Sequence, residues 1–290
     1  MSSTERAILI TGATGQQGGA VARELVGKGF RLRALVRQPE GERARALAAL
    51  GIGLVPGDLD VEASLARALE GAWGVFAVQN TWQAGVEGEE EQGKRLARVA
   101  RSAGVHHFVY ASVASAHRKT GIPHFENKWR VEETVRSLGF PSHVVIRPVF
   151  FMENLFSPWF LNGDRLMTSL DPATRLQMIS VADIGRYHAR AFTHAAEMNG
   201  TALDIAGDAM TMPATAETLS RALGRRITYQ RIPAAEIRKQ SEEFALMLEW
   251  FDRTGYDVDL AANERNHGIR PETLDAWARR LAGAGAGAAR

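Results

Sequence analysis

Residues 8–19, ILITGATGQQGG, constrain this chain more than any other stretch. An apolar run over 7–10 leads into Thr11, and glycines follow at 12, 15 and 18. Apolar residues at helical spacing come next: Val21, Ala22, Leu25 and Val26, closed by Gly27 and Gly29. The pattern is strand, tight glycine turn, helix. Glycines permit the bend and let the backbone approach a ligand closely. A helix start adds unpaired N–H groups and the positive end of a dipole, which together suit a pyrophosphate. Gly12, Thr14, Gly15, Gln16, Gln17 and Gly18 are the expected contacts.

The first half of the chain repeats this alternation. Strands are expected at 32–36, 52–55, 73–78, 107–111 and 144–147, with helices at 42–50, 61–69, 89–103 and 125–138. Leu96, Val99, Ala100 and Ala103 share one face of the helix at 89–103. Strands alternating with helices imply parallel pairing and right-handed crossovers, hence an α/β, doubly wound Rossmann sheet. Residues 1–150 form the expected dinucleotide-binding domain. Regularity weakens after Pro148. Helices are expected at 183–192, 214–223 and 234–251, with strands at 202–205 and 227–231. Residues 151–281 read as a smaller, interleaved α/β region covering the sheet's carboxyl edge, with substrate expected between the two parts. Residues 282–290, glycine and alanine, lack a core pattern and are expected to be a disordered tail.

Composition narrows the function. The 290 residues carry 35 Lys and Arg against 33 Asp and Glu, without a dense basic run, so nucleic acid is not an expected partner. With zero cysteines, disulfides and thiolate catalysis are excluded. No apolar run reaches the roughly 18–20 residues of a membrane span. MSSTERA passes straight into the first strand, so a cytoplasmic location without a signal peptide is expected. No metal site is expected: His106-His107 lacks acidic partners at ligand spacing and reads as structural.

The second strand selects the nucleotide. A carboxylate about 20 residues beyond the glycine turn would bind a ribose diol, whereas a 2′-phosphate requires positive charge. Here the strand ends Leu35-Val36-Arg37, and the nearest carboxylate is Glu40, beyond Pro39. Arg37 offers a planar fork, with Arg43 as a second contact, which favours NADP(H) over NAD. Asp58, with Leu59 beside it, follows the third strand, where an adenine amine would lie. The same carboxylate equally suits a turn or a helix cap.

Taken in order, TGATGQQGG, Arg37, GDLD at 57–60, VQNTW at 78–82, EQGK at 91–94, HFENK at 124–128 and RPVFFMEN at 147–154 resemble the NmrA-like group of atypical short-chain dehydrogenase/reductases. SVADIGRYHARAF at 180–192 and FDRTGYDVDL at 251–260 extend the resemblance over most of the chain. It implies NADP(H) as ligand, with Gln79, Asn80, Thr81, Lys94, Lys128 and the stretch from Phe151 to Asn154 near it. Within such a family, some members resemble regulators that sense NADP(H) and bind other proteins, and others reduce quinones or phenolic compounds.

The wider superfamily uses a serine with Tyr-x-x-x-Lys. Here Ser112 follows the fifth strand and Lys128 is present, but His124 stands where the tyrosine would be. His124 acting as a proton donor, with its pKa lowered by Lys128, competes with His124 merely opening a helix. Ser112 reads either as a substrate ligand or as a loop serine capping a turn. The acidic stretch 87–91 reads as a solvated helix start, and Tyr110 as core or interface. Trp82, Trp159 and Phe160 suit an aromatic pocket or ordinary packing, and Met247, Trp250 and Phe251 suit core. A cofactor fingerprint beside an incomplete proton-donor set favours an NADP(H)-responsive regulator over the alternative, an NADPH-dependent reductase of quinones or activated carbonyls and alkenes. The expected partners are accordingly a small-molecule substrate or a regulatory protein, with a homodimer also open.

Overall fold

The computed structural model describes residues 6–288, and for 284–288 the backbone alone. The chain separates into two compact units. One comprises the chain up to Lys119 together with Pro123–Arg147 and Ile184–Leu203; the other comprises Thr120–Ile122, Pro148–Asp183 and the chain from Asp204 onward.

The first unit realises the alternation in the sequence. Its elements are β1 (Arg6–Ile10), α1 (Gln16–Leu25), β2 (Phe30–Val36), α2 (Glu42–Ala49), β3 (Gly53–Pro56), α3 (Glu62–Leu69) and β4 (Gly74–Ala77). There follow α4 (Thr81–Ser102), β5 (His107–Ala111), α5 (Pro123–Ser137) and β6 (Ser142–Pro148). Beyond β6 lie the short strands β7 (Phe150–Phe151), β8 (Leu161–Asn162), β9 (Arg165–Thr168) and β10 (Arg175–Ile179). Next come α6 (Val181–Thr193), α7 (Ala195–Met198) and β11 (Ala202–Ile205).

The central sheet has seven strands in the order β11-β6-β5-β4-β1-β2-β3. Neighbours among β1 to β6 pair in parallel. The chain is therefore an α/β Rossmann-like protein whose strand order reverses between β1 and β4. Both sheet faces are buried, so the strands read as continuous apolar runs. Leu9, Val75, Phe108 and Tyr110 join Leu65, Leu96, Val99 and Val131 in one cluster. On α6, His188 meets Phe76 edge-on at 5.0 Å, and Gly185 has no room for a Cβ beside Ala20 of α1.

The second unit contains two three-stranded sheets, β12 (Asp208–Thr211)-β10-β7 and β13 (Thr228–Arg231)-β9-β8. Strands β7 to β10 and β12 have two to five residues each, too short for a period to register in sequence. The helices are α8 (Met212–Leu223), α9 (Ala234–Gln240), α10 (Glu242–Arg253), α11 (Leu260–His267) and α12 (Leu274–Ala288). The single helix expected over 234–251 is two helices. Ser241 is extended, with φ −156° and ψ 112°, and its side chain accepts from Phe244 N to cap α10. The expected tail is helical backbone through Ala288, and residues 289–290 lie outside the described set. The start of α12 is tied down by acids: Asp183 accepts from Glu272 N at 2.9 Å and Asp208 from Leu274 N at 2.8 Å.

Two histidines are buried as neutral groups. The Nε2 of His107 faces the Ala191 carbonyl at 3.0 Å and its Nδ1 faces Ser142 Oγ at 2.8 Å. His188 Nδ1 donates to Ile184 O at 2.8 Å, leaving Nε2 without a partner. Burial holds each at about 4, below an ordinary 6.5. The unfolded chain thus binds protons that the fold refuses. Stability is full above about pH 6.5 and falls toward pH 4, by up to about 1.4 kcal/mol per pH unit for each histidine. Urea unfolding at pH 7 and pH 5 measures the slope, and His188→Leu removes its share.

Candidate functional site

Thr11 stitches the point where strand order reverses. Its hydroxyl accepts from Val78 N at 2.9 Å and faces the Val78 and Phe76 carbonyls at 3.0 and 3.2 Å. The turn then closes through Gly15 N donating to Gly12 O at 2.9 Å. Gly12 has φ +60°, and a Cβ there would strike Val78 at 2.7 Å. A Cβ on Gly18 would run into the Gly12 carbonyl and lie 2.6 Å from Thr11 O. Helix α1 therefore starts directly against the turn. No side chain caps it and no acid occupies its first turn, so its positive end is left for an anion. Thr14 and Gln16 are exposed there, and the buried Oε1 of Gln17 has no partner. Arg43, on α2, approaches Thr14 O at 3.5 Å.

The ends of β2 and β3 frame a hollow of about 300 Å³ lined by Arg37, Arg67, Asp58 and Ser64, among others. Both arginines are exposed. Arg37 donates to Gln83 Oε1 at 3.2 Å. Asp58 faces the hollow and also turns the chain, accepting from Asp60 N at 3.0 Å. Of the two readings of Asp58, the turn is the one its hydrogen bond to Asp60 N supports. Leu59 packs against the apolar cluster, and its carbonyl accepts from Arg95 at 2.9 Å. Arg67 was not singled out by sequence reasoning: on α3 it is one of many basic residues, and only the fold brings it beside Arg37.

Beyond β4, Gln79 is 6% exposed, and neither end of its amide has a partner. Asn80 caps α4 by accepting from Trp82 N at 2.9 Å. Trp82 is 67% exposed, with its ring 5.9 Å from that of His124. Gly85, at φ 75° and ψ 169°, breaks α4 one turn after its start.

The acidic stretch at 87–91 is not uniformly solvated: Glu89 is 1% exposed. It accepts from Lys128 Nζ at 2.8 Å, from Asn127 Nδ2 at 3.0 Å and from the Thr81 hydroxyl. Burial pushes its pKa up. The charge of Lys128 and the hydrogen bonds from Lys128, Thr81 and Asn127 outweigh that and hold it below the usual range. Glu91, by contrast, is exposed, as expected. The signal for Glu89 lay in HFENK, whose Asn127 and Lys128 project toward α4. Lys94 is engaged by Glu90 at 2.6 Å, and Arg130 holds the same carboxylate. Tyr110 is fully buried, with Lys128 Nζ 5.9 Å from its ring centre. Burial, then Glu89, push its hydroxyl well above the ordinary value.

Ser112 is engaged elsewhere. It donates to Glu132 Oε1 at 2.6 Å inside a buried cluster. Arg147 holds both oxygens of that carboxylate, at 2.8 and 2.6 Å, and Arg136 adds a second cation at 2.5 Å. Lys128 and Ser112 are thus held by two different carboxylates on α4 and α5. His124, near the start of α5, packs edge-on against Phe125 at 4.9 Å. Phe151 and Asn154 belong to the second unit, as the end of β7 and part of a short 3-10 helix. Beside them Glu153 accepts from Val181 N at 3.0 Å and from Trp277 Nε1 at 3.1 Å.

A strand-order reversal, an uncapped glycine turn and basic residues at the next strand ends define a Rossmann protein built for an anionic ligand. The profile of the NmrA-like family matches residues 4–278, and the chain belongs to that family. An NmrA-like family domain-containing protein of Dictyostelium discoideum is 28% identical over 266 residues, covering 86% of this chain and 88% of that protein. Among solved structures, the NADPH-dependent quinone oxidoreductase QOR2 of Escherichia coli, complexed with NADPH, is 25% identical at a TM-score of 0.79, covering 94% and 99% of the two chains. NmrA, a negative transcriptional regulator, is 25% identical at 0.73, covering 96% and 91%. Fungal relatives named oxidoreductases are matched over about half their own length, FrzB of Cladobotryum over 48%. Among the described residues no helix is long and apolar enough to cross a membrane.

Gly18→Ala tests the turn. The added methyl meets backbone that cannot swing aside, so a loss of about 1–3 kcal/mol is expected, read as a lowered urea midpoint.

Proposed function

We propose that this protein binds NADP(H) and signals the state of that cofactor to a partner, with slow turnover or none. The observation that carries the reading is the hollow at the ends of β2 and β3, rimmed by Arg37 and Arg67. Arg37 at the end of β2 and Arg67 from α3 offer two guanidinium groups that suit a 2′-phosphate, and the carboxylate in the hollow, Asp58, follows β3 rather than β2 and accepts from Asp60 N. The fit is supported further along the sheet edge. The uncapped start of α1 suits the pyrophosphate, and the partnerless amide of Gln79 suits a polar group of the ligand. When bound, the cofactor supplies a hydride from its reduced nicotinamide ring.

The chain's own groups favour holding over reacting. Position 124 carries histidine where the superfamily's proton donor is tyrosine. The Ser112 hydroxyl donates its hydrogen bond to Glu132, and Lys128 is paired with Glu89. A ligand acts as a signal when it binds two conformations unequally. The kinked first turn of α4, with Trp82 exposed on it, is the segment best placed to differ between them.

A second reading, NADPH-dependent reduction of a quinone, is favoured by the Trp82–His124 pair, which sets a flat indole ring beside an imidazole. A quinone takes its protons from water once reduced, so tyrosine is dispensable. The similarity to QOR2 supports the same reading.

Calorimetric titration with NADPH and NADH tests the binding. Arg37→Ser with Arg67→Ser is expected to weaken NADPH by about tenfold or more and to leave NADH nearly unchanged. Equal losses for both would overturn the phosphate assignment. Rapid NADPH oxidation with simple quinones, lost in His124→Ala, would replace the signalling reading with the enzymatic one.

A further inference from the structure

Glu89 stands out among the buried acids. It lies on α4 beyond the Gly85 kink, yet its oxygens reach back to Thr81 in the turn and across to Asn127 and Lys128 on α5. Asn127 also donates to Val86 O at 2.8 Å, a second tie between the same two elements. One carboxylate therefore clasps the turn that follows Gln79 and Asn80 to the helix that carries Lys128. The cation that offsets its charge is Lys128, whose side chain is 12% exposed against 2% for Glu89. Other charged or titratable groups at hand do not replace it. Tyr110, from β5, faces the pair as a neutral phenol, and Glu90 is held by Arg130 and Lys94.

Resting on the NADP(H) reading above, we infer that Glu89 competes with the bound dinucleotide for the ammonium group of Lys128, so that occupancy of the site is linked to the clasp between α5 and the turn carrying Trp82. A dinucleotide lying along residues 79–81 is rich in phosphate and hydroxyl oxygens and calls on a cation, and Lys128 shares the Glu89 carboxylate with Thr81. Drawing Nζ toward the ligand leaves Glu89 with two neutral donors, Thr81 and Asn127. A buried carboxylate deprived of its counter-charge is costly, and that cost is subtracted from the binding energy. By linkage, whatever weakens the Glu89–Lys128 pair strengthens binding, and binding weakens the pair. Glu89 is thus a positioning residue that lowers affinity in exchange for coupling occupancy to the Trp82 turn.

A double-mutant cycle reads this directly. Glu89→Gln keeps an acceptor for Thr81 and Asn127 while removing the charge. It is expected to tighten NADPH by roughly three- to tenfold, within the usual range of coupling between sites. Lys128→Met weakens NADPH, and Glu89→Gln in that background adds nothing. If Glu89→Gln weakens NADPH, Glu89 instead presents Lys128 to the ligand and the inference fails. It also fails if the gain survives in Lys128→Met. Should Glu89→Gln not fold, the wild-type protein carries the test through the 15N signal of the Lys128 ammonium. That signal shifts and exchanges faster with water on saturation with NADPH if the pair opens; an unchanged signal overturns the inference. Failure of the wild type to bind NADPH at all would instead count against the cofactor reading itself.

Discussion

The packing of backbone against backbone where β1 passes into α1 is the constraint on which the rest of the first unit depends. Thr11 joins the end of β1 to β4 through its hydroxyl, and Gly18 lets α1 begin against the carbonyls of Thr11 and Gly12. A side chain at position 18 would push the helix off the turn and move its positive end away from the sheet edge. Once α1 is seated, Gly185 lets α6 approach Ala20, and the face opposite the apolar cluster is closed. Position along the sheet edge follows from these contacts, because each later strand end is placed by parallel pairing to its neighbour.

Two buried carboxylates organise the other side. Glu89 and Glu132 lie on adjacent helices, and each takes up a side chain that sequence alone offered for chemistry, Lys128 in one case and Ser112 in the other. Buried pairs of this kind contribute modestly to net stability but penalise any arrangement that leaves one charge alone. They fix α5 against α4 and β6 in one register. Ser112 and Lys128 are thus each claimed by an internal carboxylate.

Much of the first unit was legible because its signals are local. Strand, turn and helix alternate with the periods those elements require, and β5 falls at the residues expected, 107–111. Arg37 was legible for the same reason, being placed by the end of its own strand. Glu89 was not, since a run of acids at a helix start looks solvated until α5 covers it. Arg67 was hidden among exposed basic residues until β2 and β3 were paired. In the second unit, β7 and β10 find their partners far along the chain, and β8 and β9, a hairpin turning at Gly163 and Asp164, are too short to show a period. The break at Ser241 was masked because the residues on both sides are good helix formers, and the extended serine also caps the next helix.

The exposure of Arg37 and Arg67 has a consequence for how the protein meets its surroundings. Groups at the surface act through water and are screened over about 8 Å at physiological ionic strength, whereas the amides of the glycine turn are fixed in the fold. On the NADP(H) reading proposed above, discrimination between dinucleotides by these two side chains would therefore fade as salt rises, while attachment through the turn would persist. The same separation makes preference evolvable. Exchanging solvated arginines costs little stability, so related chains can drift between cofactors without disturbing the sheet beneath.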